Sequence, residues 1–450
     1  MLVSLYELGR QPFGLASPAA WLRAAGAEVH CNDLAVEPLR EDLVVSADLV
    51  AVHVPMHTAT RLAVPIARRV RELNPSGHLA CYGLYAPMNE AFLRSLGAET
   101  ILGGEFEEGL AALVRRLAGE DGAPEAEPPT VSLARQRFVV PDRSTLPALE
   151  SYAHLTLDGE HRTVGYTEAS RGCKHLCRHC PIVPVYGGRF RVVDREVVLA
   201  DIRQQVRAGA QHVTFGDPDF LNGPKHAFAI VRALHDEFPA LTYDVTIKIE
   251  HLLKHAVHLE TLRATGCVLI TSAVEAVDDK TLAIYDKAHT RADFREAIEL
   301  LRRVGIAMNP TFVTFSPWTT LDGYLDLLAL IAELGLVPNV SPVQYAIRLL
   351  IPQGSRLLEL PSVQELVEPF DEAALCYRWT HPDPRVDRLY EEVRRQVSSG
   401  QRRDETREQS YLRIWDAAVR ARGGDPPRRP VTSEAPARAT VPYLNEPWYC

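Results

Sequence analysis

Residues 163–191 read TVGYTEASRGCKHLCRHCPIVPVYGGRFR. The opening residues have the β-branched and aromatic content of a strand, and they run straight into Cys173, Cys177 and Cys180, spaced C-x3-C-x2-C, then proline and a Gly-Gly pair. Three of the 8 cysteines in 450 residues thus fall within one short loop. Thiolates bind iron and zinc well, and three at this spacing can wrap one compact metal centre. Structural zinc sites and electron-transfer clusters normally take four protein ligands, so three thiolates on a 4Fe-4S cluster leave one iron open to an exchangeable ligand. Zinc, with His175 or His179 as fourth ligand, is the alternative; otherwise those histidines read as neighbours of the ligands or as solvent-facing.

Downstream of the cysteines, helical and strand-like stretches alternate: REVVLADIRQQVRAGA, QHVTFGDPDF, AFAIVRALHDEF, LTYDVTIKIE, HLETLRATG, CVLITSAVEAV, FREAIELLRRVG, IAMNPTFVTF, LDGYLDLLALIAELG and NVSPVQYAIRLL. This rhythm predicts a partial (β/α)6 barrel over residues 165–350, with its site at the carboxyl ends of the strands. Residues 351–450 read as mostly helical with a Pro-rich tail. Upstream, residues 1–118 alternate shorter apolar and amphipathic runs, as a doubly wound Rossmann-like sheet of about five strands does. Ligands of such sheets bind beyond the strand ends, which singles out the loops 7–15, 55–58, 83–89 and 103–105. The Pro- and Glu-rich start of 119–164 marks a linker and lead-in to the second domain.

Hydrophobic content of 46%, charged content of 24% and a net charge of -9 describe a globular chain with no general attraction to nucleic acid. No apolar run is long enough to span a membrane and the amino terminus has no signal-peptide pattern, so the expected location is the cytoplasm. In that reducing setting clustered cysteines bind metal or do chemistry rather than pair. Cys31, Cys81, Cys267 and Cys376 stand in apolar or mixed contexts and read as buried structural thiols.

The cysteine triad after a first strand resembles the radical S-adenosylmethionine (SAM) superfamily. The resemblance implies that Cys173, Cys177 and Cys180 hold a 4Fe-4S cluster whose open iron chelates SAM, which one electron cleaves to a 5'-deoxyadenosyl radical. It further implies cofactor-binding roles for Asp217 and Asp219 in TFGDPDF, for Lys248 and Glu250 in YDVTIKIE, and for Glu275 in SAVEAV. A reductant such as flavodoxin or ferredoxin is the implied partner, with the substrate unspecified. A methylthiotransferase acting on tRNA fits less well, because the first domain lacks a second triad and no basic terminal module follows. The reading from another class is a non-catalytic iron-sulfur or zinc protein, either an electron carrier or a scaffold.

The domain order resembles the cobalamin-associated branch of that superfamily, in which methyl transfer is one outcome. There Gly103, Gly104 and Glu105 would occupy the Gly-Gly element that admits the nucleotide tail of cobalamin. The D-x-H-x-x-G loop is absent, since YELGRQPFGLAS contains no histidine, so the domain either binds cobalamin without a protein histidine or has become a scaffold. The terminal VPYLNEPWYC is similar to the tails of CUAEP/CCAEP-tail radical SAM proteins, some of them selenoproteins, although Ala-Glu-Pro is missing. That resemblance makes Cys450 a redox candidate, and a selenocysteine codon read as a stop would end the product there.

Overall fold

The computed structural model describes residues 1–120, 122, 126–424 and 430 and the backbone of 443–444; Cys450 lies outside the described residues. Six short parallel strands open the chain: β1 (Leu2–Ser4), β2 (Cys31–Asp33), β3 (Leu49–His53), β4 (His78–Tyr82), β5 (Thr100–Gly104) and β6 (Val131–Ser132). Their order, β2-β1-β3-β4-β5-β6, reverses direction between β1 and β3. Strand periodicity explains the two cores. Val50 and Val52 face Ala63, Ala67 and Val70 of the helix His57–Leu73, while Leu49 and Ala51 face Leu15, Ala19 and Leu110 of the helices Phe13–Ala24 and Glu107–Leu117. The sixth strand, β6, comes from the segment read as linker.

The second sheet has β7 (His154–Leu157), β8 (Glu160–Thr167), β11 (His212–Phe215), β12 (Thr242–Thr246), β13 (Cys267–Glu275) and β14 (Ala307–Phe312), with β9 (Ser170–Gly172) and β10 (Phe190–Val192) forming a separate small hairpin. Its order is β14-β13-β12-β11-β8-β7-β17, where β17 is Tyr443–Leu444. Strands β8 and β11 to β14 are mutually parallel; β7 is antiparallel to β8 across a two-residue turn, Asp158-Gly159, with both residues at positive φ. Inward-facing Val213, Phe215, Tyr243, Val245 and Ile270 pack under Ile202, Ile230, Val231 and Ile298 of the intervening helices. The sixth barrel strand expected in NVSPVQYAIRLL shrinks to one parallel bridge, Phe315 to Arg348. Pro342 starts a 3-10 turn there, and the Gln344 side chain accepts from Phe312 N–H at 2.9 Å, replacing a backbone partner.

The carboxyl-terminal region holds the helices Pro384–Arg402 and Arg407–Arg422 and one hairpin absent from the sequence reading, β15 (Val367–Asp371) with β16 (Cys376–Trp379). No helix among the described residues is long and apolar enough to cross a membrane.

The segment after β6 joins the two sheets. Arg143 makes a bidentate pair with Asp201 at 2.8 and 2.9 Å and also donates to Gln11 Oε1 at 2.7 Å and to the Tyr166 carbonyl at 2.6 Å. Buried and fully used, this fork-shaped cation fixes the first helix of one sheet against the first barrel strand of the other.

Candidate cluster loop and cofactor site

Cys173, Cys177 and Cys180 lie between β9 and the short helix Val183–Tyr186. The loop leaves β9 through Gly172, whose φ is +70° and where a Cβ would meet Tyr186 Cδ1 at 2.4 Å and the Arg189 carbonyl at 2.5 Å. Only glycine fits that close turn. The loop is then clamped from outside. Arg178 N–H donates to Tyr285 O at 2.9 Å and its guanidinium to Ile284 O at 3.0 Å, while Ser355 Oγ donates to Arg178 O at 3.1 Å and Arg356 to Leu176 O at 2.7 Å.

Burial pushes the Cys180 thiol up to about 12 and also raises Cys173, and each is raised further by the neighbouring thiols of the set. Thiols whose affinity for protons is raised in this way, as at Cys173 and Cys180, are costly as thiolates until a cation is shared with them. This donor set fits a cluster bound through three corners. The other described cysteines lie elsewhere, on β2, β4, β13 and β16.

The expected cofactor residues fall into three groups. Asp219, Lys248 and Glu250 gather beside the cysteine loop. Lys248 Nζ is 3.3 Å from Glu250 Oε2, and that carboxylate is 3.7 Å from His175 Nδ1. Glu275, at the end of β13, takes Lys287 at 3.4 Å and His179 Nε2 at 3.0 Å on one oxygen. Although burial opposes it, Lys287 and His179 hold the Glu275 carboxyl down at about 2. Asp217 is turned the other way: its oxygens accept Ala169 N–H at 2.9 Å and Ser170 O–H, bracing the strand that leads into the loop, and burial pushes its carboxyl up to about 7.

Gly103, Gly104 and Glu105 form a third group at the boundary between the two sheets. Glu105, Glu107 and Glu168 surround the buried guanidinium of Arg171, at 3.4, 2.6 and 2.7 Å. The rings of Phe13, Phe106 and Phe138 lie 5.6, 5.5 and 5.1 Å from the same cation. Three carboxylates exceed one cation. Glu107, bonded to Arg171, stays below its usual range, whereas burial outweighs Arg171 at Glu105 and lifts it to about 7.

Beside this cluster lies a cavity of about 230 Å³, lined by Glu7, Arg10, His53, Tyr166, Glu168 and Arg171 among others. It sits where the first sheet reverses order, at the loops after β1 and β3. The residues there do not fit a cobalamin tail laid on the Gly-Gly element. A Cβ on Gly103 would meet Pro87 at 2.1 Å, one on Gly104 the Ser132 carbonyl at 2.2 Å, and one on Gly14 the His53 ring at 1.9 Å. The close approaches that glycine permits are used by the chain itself. His53 and Phe106 each pack 5.0 Å from the Tyr82 ring, and the remaining space is below the ~300 Å³ at which pockets for drug-sized ligands begin.

Arg171, His251 and Lys287 are site residues that the sequence alone does not single out, whereas His179, expected as a neighbour of the ligands, does lie beside Glu275. The signal for the histidines was present: His175 and His179 lie among the cysteines, and His251, His255 and His258 recur on consecutive helical turns.

Comparison with known proteins agrees with this architecture. Residues 167–331 match the Radical SAM superfamily. These residues of the chain carry a radical SAM domain, and members of that superfamily use a 4Fe-4S cluster and SAM. Some of the similar solved structures are cobalamin-dependent or cobalamin-bound enzymes. The chain is 26% identical over 325 residues to the hopanoid C-3 methylase of Methylococcus capsulatus, covering 68% of this chain and 62% of that protein. It is 24% identical over 190 residues to a tRNA-2-methylthio-N(6)-dimethylallyladenosine synthase of a Sulfurihydrogenibium species, covering 39% and 41%. The chain therefore spans less than two thirds of either relative. In fold it is similar to the cobalamin-dependent enzyme OxsB with aqua-cobalamin and SAM bound, with a TM-score of 0.68, 16% identity, and coverage of 92% of this chain and 72% of that one. It is also similar to the methyltransferase TsrM of Kitasatospora setae, with a TM-score of 0.58, 18% identity, and coverage of 74% and 73%.

Proposed function

We propose that the chain reductively cleaves SAM at a 4Fe-4S cluster held by Cys173, Cys177 and Cys180. The carrying observation is the clamped loop that presents Cys173, Cys177 and Cys180 together, with the other described cysteines on strands elsewhere. When bound, the cluster supplies one electron to SAM, breaking a sulfonium C–S bond to give methionine and a 5'-deoxyadenosyl radical. The chain's own groups do the positioning. Glu275, kept ionised by Lys287 and His179, offers a carboxylate for ribose hydroxyls, and Lys248 offers a cation for the methionine carboxylate. Asp217 acts through Ala169 and Ser170, holding the strand that fixes the cysteine loop.

The boundary cavity reaches both sides of the loop, touching Gly172 before the cysteines and Ile182 after them, and is the proposed substrate entry. Methyl transfer, the activity in the names of two similar proteins, is the proposed reaction class, with no corrinoid step drawn because Pro87, Ser132 and His53 fill the glycine approaches. The proposed setting is the cytoplasm, with a low-potential donor of the flavodoxin or ferredoxin type. Anaerobic reconstitution with iron and sulfide tests the reading. The expected result is a 4Fe-4S spectrum perturbed by SAM and 5'-deoxyadenosine formed on reduction; zinc bound in place of iron, with no nucleoside product, overturns it.

A further inference from the structure

We infer that His175, Asp219 and His251 form a second metal site, separate from the three cysteines, that takes one first-row divalent cation. The three residues come from different strand-end loops: His175 from the cysteine loop, Asp219 from the turn after β11, and His251 from the helix Ile249–Lys254 after β12. Their ligand atoms all lie within 4.8 Å of one another. His251 Nδ1 is 2.6 Å and His175 Nε2 3.5 Å from Asp219 Oδ2. The side chains of Asp219 and His251 are 0% and 1% exposed.

None of these three atoms has a properly formed hydrogen bond. Short separation without donor alignment is the arrangement of lone pairs converging on a third body. Ligands about 2.0–2.2 Å from one tetrahedral ion are about 3.3 Å apart, between the two separations seen here. Without a cation these atoms meet only one another, as misaligned ion-pair contacts, and a shared ion would satisfy all three.

The surroundings are those of metal-bound imidazole. The other nitrogen of His175 faces the Glu250 carboxylate at 3.7 Å, itself held by Lys248, so the ring is oriented with Nε2 toward Asp219. The other oxygen of Asp219 accepts Leu221 N–H at 3.2 Å, leaving Oδ2 for the ion. Two imidazoles and one carboxylate suit Zn²⁺, Fe²⁺ or Co²⁺ rather than Mg²⁺ or Ca²⁺. A bound ion would fasten the cysteine loop, through His175, to the ends of two barrel strands.

The test separates this site from the cluster. In full-length protein with Cys173, Cys177 and Cys180 all changed to serine, Co²⁺ titration is expected to give one equivalent bound, with d–d absorbance and no thiolate charge-transfer band. His251→Gln in that background is expected to weaken binding by at least ~100-fold and Glu250→Gln by ~10–100-fold. If circular dichroism shows the triple variant unfolded, metal analysis of reconstituted wild type against His251→Gln replaces it, with one non-cluster metal per chain expected in the first and none in the second. Absence of the extra equivalent, or binding indifferent to His251→Gln, overturns the site. Co²⁺ bound at this site in a protein that never assembles a cluster would leave the inference standing and defeat the cluster reading instead.

Discussion

The strand ends of the two sheets face a common boundary but are furnished in opposite ways. On the first sheet, several glycines at the strand ends are packed against the chain itself: Pro87 against Gly103, Ser132 against Gly104, His53 against Gly14. On the barrel, polar atoms are left without partners: Asp219 Oδ2, His251 Nδ1 and His175 Nε2, beside a cysteine loop in which burial raises the thiols of Cys173 and Cys180. Buried polar atoms without partners occur on both sides of the boundary, Arg10 Nε and Glu105 Oε1 on the first and Asp219 Oδ2 on the second, but among the described residues it is on the barrel that three ligand atoms from different loops converge. Similar folds can therefore carry different cofactors, because the fold sets where the loops meet and not what fills the space between them.

The sharpest way to break this comparison is Cys177→Ala, expected to abolish both cluster assembly and 5'-deoxyadenosine formation, read by absorbance and by chromatography of the reduced reaction. Next is Arg171→Met, which leaves Glu105, Glu107 and Glu168 buried around no cation. Denaturant unfolding should show a loss of about 3–5 kcal/mol, the scale for breaking a buried ion pair from one side.

A smaller effect concerns pH. Burial lifts the Glu105 carboxyl from its ordinary 4.5 to about 7 in the folded chain, so the folded state binds the proton more tightly than the unfolded state. Its contribution is complete below about 4.5 and is lost as pH rises through about 7, a change on the order of 1–3 kcal/mol. Asp217, also at about 7, acts in the same direction. Glu105→Gln should flatten this part of a stability-against-pH curve; an unchanged slope would remove Glu105 from the account. The smallest expected signal is none: incubated with aquacobalamin and desalted, the chain should retain no stoichiometric corrinoid absorbance. Retention would show that His53 and Pro87 move aside, and would make the two sheets alike.

Much of this was legible in the residues. The C-x3-C-x2-C spacing marked the metal loop, and strand-helix alternation gave both sheets and placed the loops 7–15 and 55–58 that line part of the cavity. The turn signal Asp158-Gly159 is there to mark the hairpin of β7 and β8, but it falls inside the stretch read as linker from the Pro- and Glu-rich residues that precede it. The sixth barrel strand was overcalled because VQYAIRLL is apolar enough for a strand, yet Pro342 and the Gln344 side chain use the pairing positions differently. Asp217 and Asp219, two residues apart in one motif, looked interchangeable; one braces a strand and the other joins two histidines.

By itself the sequence determined which chemistry the chain can hold, because ligand spacing within one loop and the period of apolar residues are local properties. Only the tertiary structure decided which side chains from distant loops are left unpaired together and which glycines are already covered. Those outcomes depend on burial and on contacts between residues such as His175 and His251, 76 positions apart, or Gly14 and His53, 39 apart, which no local pattern encodes.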